Sequence, residues 1–229
     1  MFAALEENLA RVRAGISEAS RRAGRGEDEV TLVAVTKTLP MEAVEAAAAL
    51  GVEDFGENYI KELRGKASER PDLHWHYIGA LQSGTAHHVA DVADYVHGLE
   101  PGGAVTRLSE RAASRGRNLP VLVQVDFEGG RNGVAPEQLD PFAQEVASLD
   151  GLVLSGLMTL PPMPKSPEDC RPYFRRLREM RDRFRKTHPE LVELSMGMSL
   201  DYEVAVEEGA TMVRVGAALF GQRPGPRLK

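Results

Sequence analysis

The sequence predicts a single parallel (β/α)₈ barrel, of the TIM barrel type, preceded by one helix. Eight strand-like runs alternate with seven helix-like stretches, and this alternation is typical of parallel α/β folds. The chain has 229 residues, of which 42% are hydrophobic, a size at which such a barrel forms one domain. No linker, internal repeat or low-complexity run divides it. We therefore expect residues 1–229 to form one domain.

The first segment has the periodicity of an amphipathic helix that ends near Ala23-Gly24. Its apolar residues recur at spacings of three and four: Phe2, Leu5, Leu9, Val12 and Ile16. The predicted strands that follow are 30–36, 52–55, 74–78, 95–97, 120–126, 152–157, 191–195 and 212–215. The predicted helices between them are 41–50, 59–67, 83–91, 104–114, 136–149, 167–186 and 200–208.

Active sites of such barrels lie at the C-terminal ends of the strands. The candidates at those ends are Lys37, the turn Gly56-Glu57-Asn58-Tyr59, Gly79, His97, Asp126, Met158, Ser195 and Gly216. Lys37 closes the apolar first strand. An amine in that position loses solvation and tends to lose its proton, and a neutral amine is what Schiff-base chemistry needs. The alternative is an ordinary surface lysine at a strand end.

Two turns late in the chain have the composition of an anion site. Ser195-Met196-Gly197-Met198-Ser199 follows the seventh strand, and Val215-Gly216-Ala217 follows the eighth. Phosphates often bind these two loops because N–H groups at helix starts face the anion. Ser199 is also compatible with an ordinary cap of the next helix. An early lysine followed by late phosphate-type turns predicts a pyridoxal phosphate (PLP) site.

Composition argues against several classes of protein. The net charge of −6 and the pI near 5.6 disfavour a general nucleic-acid binder. Cys170 is the single cysteine, so no internal disulfide can form, and we expect a cytoplasmic protein. No segment has the apolar length of a membrane span. The N-terminus has no signal-peptide core, since Glu6 and Glu7 interrupt it.

Six motifs extend the pattern over nearly the whole chain. They are Ala34-Val35-Thr36-Lys37, Phe55-Gly56-Glu57-Asn58-Tyr59, His76-Tyr77-Ile78-Gly79 with Leu81-Gln82-Ser83, Gly156-Leu157-Met158-Thr159, Ser195-Met196-Gly197-Met198-Ser199, and Met212-Val213-Arg214-Val215-Gly216 with Phe220-Gly221 beyond. In combination they resemble the pyridoxal phosphate homeostasis proteins, also called the proline-synthetase co-transcribed family. The fold of that family is similar to the N-terminal barrel of alanine racemase.

The resemblance implies a role for six residues. Lys37 forms a Schiff base with PLP, and Arg214 faces the pyridine nitrogen. Ser199 and Gly216 hold the phosphate. The residues implied beside the cofactor ring are Asn58 and Met158. The implied function is to hold PLP and to buffer it or deliver it to apo PLP enzymes, as a monomer.

The sequence departs from the family pattern at four positions. Gly84 and Thr85 follow Ser83, where the family usually has Asn and Lys. Ala217 stands where a threonine hydroxyl often meets the phosphate, and Leu200 stands where an acid is common. One phosphate hydrogen bond is therefore expected to be absent.

Arg214 alternates with Met212 and Gly216, so these residues share one strand face. One interpretation is an arginine paired with a buried acid. The other is a donor to the pyridine nitrogen, which would disfavour protonation of that nitrogen and weaken the ring as an electron sink. Strong carbanion chemistry then becomes less favourable.

Three functional hypotheses follow. The first is a PLP-binding homeostasis protein. The second is a PLP-dependent amino-acid racemase-like enzyme. Racemases of this type use a second domain that supplies a tyrosine base; few residues follow the eighth strand here, so we expect no such domain. Tyr59 or His76 could substitute, although nothing in the sequence places them. The third is a barrel that binds another phosphorylated small molecule.

Other features favour structural interpretations. His74 and His76 alternate on one strand, but no third metal ligand has suitable spacing, so we expect no metal site. Cys170 has no base nearby in sequence. The arginine-rich stretch 171–185 is expected to pack on the barrel, with its charges solvated and its apolar side chains inward: Tyr173, Leu177, Met180 and Phe184.

Overall fold

Eight parallel strands close into a barrel in chain order, β1 to β8, in a computed structural model that describes residues 4–222. The predicted barrel fold is therefore confirmed. The strands are β1 Thr31–Val35, β2 Asp54–Glu57, β3 His74–Tyr77, β4 Tyr95–Leu99, β5 Leu119–Val125, β6 Leu152–Thr159, β7 Glu193–Ser195 and β8 Met212–Val215.

Nine α-helices accompany the strands within the described part of the chain. They are α1 Leu5–Arg22, α2 Met41–Ala48, α3 Ile60–Glu69, α4 Ala86–Val92, α5 Gly103–Ser114, α6 Leu139–Ala147, α7 Arg171–Phe184, α8 Tyr202–Glu207 and α9 Ala217–Phe220. Short 3₁₀ helices lie at Glu27–Glu29, Pro136–Gln138 and Pro167–Cys170. Phe2 and the segment from Arg223 onward lie outside the described residues.

Two predicted strands were misplaced, and the reason is local hydrogen bonding. β2 begins at Asp54 because the Val52 N–H donates to the Ala47 carbonyl and closes the turn after α2. β7 begins at Glu193 because the Leu191 N–H donates to the His188 carbonyl in a preceding turn. Apolar side chains that pack in a turn resemble strand residues in the sequence.

Three predicted helices begin three or four residues later than expected. Ser83–Thr85 form a turn, with the Thr85 N–H bonded to Gln82, before α4. The predicted helices 136–149 and 167–186 each start as a 3₁₀ turn that contains a proline. A proline at the start of a helix sets the backbone angle φ but donates no hydrogen bond. It therefore indicates the region in which a helix begins, but not which residue is the first of the α-helix.

The strands present alternate residues to the barrel interior and to the surrounding helices. Most side chains that face the helices are apolar, and Phe55, Trp75, Val96 and Val213 are at most 1% exposed. α1 joins this core through the predicted stripe Leu5, Leu9, Val12 and Ile16. It packs against α8 and α9. No helix within residues 4–222 is long and apolar enough to cross a bilayer.

The arginine-rich helix α7 packs on the barrel as predicted, with one correction. Phe174 is buried, whereas Tyr173 is only partly buried and its hydroxyl donates to Glu128 at 2.6 Å. On the outer side, Arg171 and Arg175 form ion pairs with Glu208 at 3.1 and 2.9 Å. Its positive charges are thus largely matched by acids of the same chain.

Candidate functional site

The predicted site residues lie at the C-terminal end of the barrel. Lys37 follows β1, Asn58 follows β2, and Met158 is the penultimate residue of β6. Ser199 lies after β7, and Arg214 and Gly216 lie within and just after β8. The strand pairing brings the early and late residues together, since Val33 is in register with Arg214 on the neighbouring strand.

The turn after Lys37 has a strained backbone. Thr38 has φ of 63°, which makes it the one non-glycine residue with positive φ among residues 4–222. A β-branched residue is disfavoured in this left-handed region. The Thr38 N–H donates to Glu62 Oε2 at 2.6 Å, and the Leu39 N–H donates to the Thr36 carbonyl at 3.0 Å. These bonds fix the chain immediately after the lysine.

A buried charged pair supports the same turn from the helix side. Lys66 Nζ lies 2.6 Å from Glu57 Oε1 and donates to the Thr36 carbonyl at 2.8 Å. The Thr36 hydroxyl donates to the same Glu57 oxygen at 2.6 Å. Glu57 Oε2 is buried without a partner among the described residues. Burial therefore raises the pKa of Glu57, although the hydrogen bonds from Lys66 and Thr36 act against the shift.

Ser199 joins the loops after β7 and β8. Its Oγ accepts the N–H of Gly216 at 3.2 Å and the N–H of Ala218 at 3.1 Å. The capping alternative for Ser199 is wrong, because the residue before α8 is Asp201, and Asp201 accepts the Met198 N–H at 2.6 Å. Since both hydroxyl acceptor positions are used, the Ser199 O–H proton remains the group it can offer to an anion.

Gly197 allows this loop to pack closely. It has φ of 90°, and a Cβ atom there would lie 2.5 Å from Ala205 Cβ. A larger residue would therefore push the loop away from α8 and displace Ser199.

The Arg214 side chain is buried at the ends of β6 and β7. Its guanidinium donates to the Ser195 hydroxyl and, at 3.1 Å, to the Thr159 carbonyl. Within residues 4–222 it forms no ion pair with a carboxylate, so the predicted alternative of an arginine paired with a buried acid is wrong. Burial lowers the pKa of Arg214 to about 10, and the group stays positively charged at neutral pH.

Ser195 and His97 were candidates by position alone, and the structure shows what they contact. His97 Nδ1 lies 2.8 Å from Ser195 Oγ, and His97 Nε2 lies 2.9 Å from His76 Nδ1. The sequence-based prediction missed Thr159 and Asp54, which end this set of contacts. Polar residues at inward-facing positions of several strands were the signal that could have indicated these contacts.

The weaker candidates have structural explanations. Burial, with Asp201 as hydrogen-bond acceptor, raises the pKa of Cys170 to about 12, so the thiol is not activated. His74 and His76 both contact Asp54, at 3.3 and 2.9 Å. In the described ranges, no three His, Cys, Asp or Glu side chains are grouped so as to hold a metal ion.

Comparison with known proteins gives the family. Residues 7–224 match the family model of the alanine racemase N-terminal domain. The pyridoxal phosphate homeostasis protein of Aquifex aeolicus is 40% identical over 222 residues, which cover 95% of this chain and 97% of the relative. The chain belongs to the pyridoxal phosphate homeostasis protein family. A second member, from Escherichia coli K12, is 39% identical over 229 residues, with 96% and 97% covered.

Solved structures agree with this family assignment. PipY of Synechococcus elongatus PCC7942, described with PLP bound, is 32% identical with a TM-score of 0.83 over 95% of this chain and 100% of its own. The alanine racemase of Clostridium difficile 630 has a TM-score of 0.74 at 16% identity, and 59% of it is covered. The likeness to the racemase shows a shared fold. The match to the homeostasis proteins, in contrast, covers nearly the full length of those relatives.

Proposed function

We propose that this protein binds PLP at the C-terminal end of its barrel, holds it on Lys37, and buffers or delivers it within the cell. The observation that carries the proposal is the Ser199 hydroxyl, which lies at hydrogen-bonding distance from the N–H groups of Gly216 and Ala218. With both acceptor positions used, its O–H proton remains to donate to a phosphate at the barrel end that also carries Lys37. A relative at 32% identity has PLP bound.

The donors of the site fit the chemical groups of PLP. The Ser199 hydroxyl, held by the backbone N–H of Gly216, can donate its proton to a phosphate dianion. The Arg214 guanidinium can only donate, so it suits an unprotonated ring nitrogen. PLP supplies an aldehyde that a lysine amine captures with loss of water. Lys37, at the fixed turn after β1, would be that amine. Asn58 and Met158 would flank the ring.

We infer that the role is to bind and release PLP rather than to turn over amino acids. Tyr59, one of two substitutes considered for the racemase base, is 54% exposed. The other, His76, is engaged by Asp54 and His97 through both ring nitrogens. Arg214 in place of an acid would weaken the ring as an electron sink.

The proposal includes the cellular context. We propose that residues 1–229 act as one PLP-binding domain, since α1 shares the core of the barrel. The protein would act as a monomer in the cytoplasm, with apo PLP enzymes as recipients and without nucleic acid or membrane partners. The charge balance on α7 supports the exclusion of nucleic acid.

Borohydride reduction tests the assignment of the amine. Purified protein incubated with PLP should show a visible absorption band, and reduction should fix the label on the peptide that contains Lys37. Lys37→Ala should remove the band, whereas Lys61→Ala is the matched control and should keep it. Lys66 is paired with buried Glu57 and should not react. Label found mainly on Lys61 or Lys66 would contradict the assignment.

A transfer experiment tests delivery. An apo PLP enzyme would be mixed either with the loaded protein or with the same amount of free PLP, and recovery of its activity would be followed. Delivery predicts activation by the loaded protein at free-PLP concentrations too low to activate the enzyme alone. No activation under those conditions would restrict the role to buffering.

A further inference from the structure

A continuous line of hydrogen-bonded side chains crosses the barrel interior. It runs from Arg214 to Ser195, and from Ser195 to His97 at 2.8 Å. It continues from His97 to His76 at 2.9 Å, and from His76 Nε2 to Asp54 Oδ1 at 2.9 Å. Ser195, His97 and His76 are fully buried. Asp54 opens β2 and is partly exposed, so the line joins the two ends of the barrel.

The two ends of this line fix its direction. A guanidinium only donates hydrogen bonds and a carboxylate only accepts them. If both imidazoles are neutral, a single arrangement satisfies every contact. Ser195 accepts from Arg214 and donates to His97 Nδ1, His97 Nε2–H donates to His76 Nδ1, and His76 Nε2–H donates to Asp54. The opposite arrangement requires a doubly protonated His76.

The surroundings favour a neutral His97 ring and hold the His76 ring in its orientation. Burial lowers the pKa of His97 well below its ordinary value, and the nearby His76 and Arg214 act in the same direction. The His76 ring stacks on Tyr95, with centroids 4.8 Å apart and planes 6° from parallel. Its rotation is therefore restricted, and each ring nitrogen stays aligned with one partner.

We propose that His97 and His76 are positioning residues, which act through Ser195 to hold the Arg214 guanidinium in the orientation that receives the cofactor. Asp54, at the far end of the barrel, is the acceptor that sets the direction of the hydrogen bonds along the whole line. We call this line, from Arg214 through Ser195, His97 and His76 to Asp54, the relay. This inference deepens the proposed function and rests on it for the identity of the cofactor. Because bonds in such a chain polarise one another, loss of the last acceptor is felt at the first donor.

Nitrogen-15 NMR of the histidine rings tests the relay without any cofactor. The relay predicts that His76 and His97 both carry their proton on Nε2 and accept at Nδ1 in the wild-type protein. Asp54→Ala should convert them to a mixture of tautomers. Asp54→Asn should preserve the wild-type signals, because its amide oxygen can still accept from His76. His74→Ala is the matched control, since His74 also touches Asp54 but is 58% exposed and lies outside the relay.

Binding measurements then connect the relay to the site. Asp54→Ala and Ser195→Ala should each weaken PLP binding on the order of tenfold and shift the visible band. Asp54→Asn and His74→Ala should match wild type in both readouts. Ser195→Ala breaks the relay next to Arg214, so it tests the proposal if Asp54→Ala does not fold.

The outcomes separate this inference from the proposed function. A proton on His97 Nδ1 in the wild-type protein would overturn the relay even if PLP binds normally. Unchanged tautomers and unchanged PLP affinity in both Asp54→Ala and Ser195→Ala would overturn it as well. Failure of the wild-type protein to bind PLP would instead overturn the proposed function, and the NMR result would still decide whether the relay exists.

Discussion

The Ser199 hydroxyl accepts the Gly216 N–H at 3.2 Å and so joins the loops after β7 and β8. If these loops hold the phosphate, PLP should bind more than tenfold more tightly than unphosphorylated pyridoxal, because each charge-assisted hydrogen bond contributes roughly 1.5–3 kcal/mol. Titration of the visible absorption with either compound measures the ratio. Equal affinities for PLP and pyridoxal would show that these loops do not bind the phosphate.

Variants locate the phosphate more closely. Ser199→Ala should lower the affinity for PLP by about tenfold and leave pyridoxal binding nearly unchanged. Ser199→Thr keeps the hydroxyl and serves as the control. Gly216→Val should weaken PLP binding as well, because a side chain would crowd the phosphate oxygens.

Thr38 should be a source of backbone strain next to Lys37. Thr38→Gly is expected to raise the free energy of unfolding by about 1 kcal/mol, since glycine adopts the observed φ of 63° without steric cost. Thr38→Ala keeps a Cβ atom and should give little of this gain. Urea denaturation compares the unfolding free energies of wild type and the two variants. Equal gains from Gly and Ala would show that the Thr38 side chain beyond Cβ, and not the backbone angle, causes the strain.

The Lys66–Glu57 pair should make stability depend on pH. A raised pKa means that folded Glu57 binds its proton more tightly than unfolded Glu57, so its stabilising contribution is lost as pH rises above the ordinary value of 4.5. Lys66→Met removes the compensating cation and should raise that pKa further. The Lys66→Met variant should lose on the order of 3 kcal/mol of unfolding free energy relative to wild type at pH 7.5, and less at pH 5.

A double variant supplies the control for this pair. Glu57→Gln combined with Lys66→Met has no charge left to titrate, so its loss of stability relative to wild type should not grow between pH 5 and pH 7.5. Denaturant unfolding at the two pH values gives the comparison. The assignment fails if the Lys66→Met loss is the same at both.

Turnover of amino acids should be slow. The PLP-loaded protein would be incubated with single-enantiomer amino acids in deuterated water, and chirality and α-proton exchange would be followed. We expect no racemisation, transamination or decarboxylation near 1 per second, the lower end of ordinary enzymatic rates. Turnover at that rate or above would favour the racemase-like hypothesis. Slow α-proton exchange alone would not, since an exposed lysine-bound PLP permits some exchange.

The sequence by itself determined the barrel and the end of it that carries the candidate site. The alternating strand and helix patterns reflect which side chains are buried. The order of the motifs placed Lys37, Arg214 and Ser199 at strand ends. Boundaries were less well determined, as at β2 and β7, because an apolar residue in a turn and one in a strand are equally buried.

Only the tertiary structure decided which side chains meet across the barrel. His76 and His97 are separated by 21 residues, and Ser195 lies 98 residues beyond His97. No local pattern relates such distant positions, because strand register and barrel closure set which inward-facing residues share a level. The same holds for Lys66, whose burial against Glu57 follows from the packing of α3 on β2.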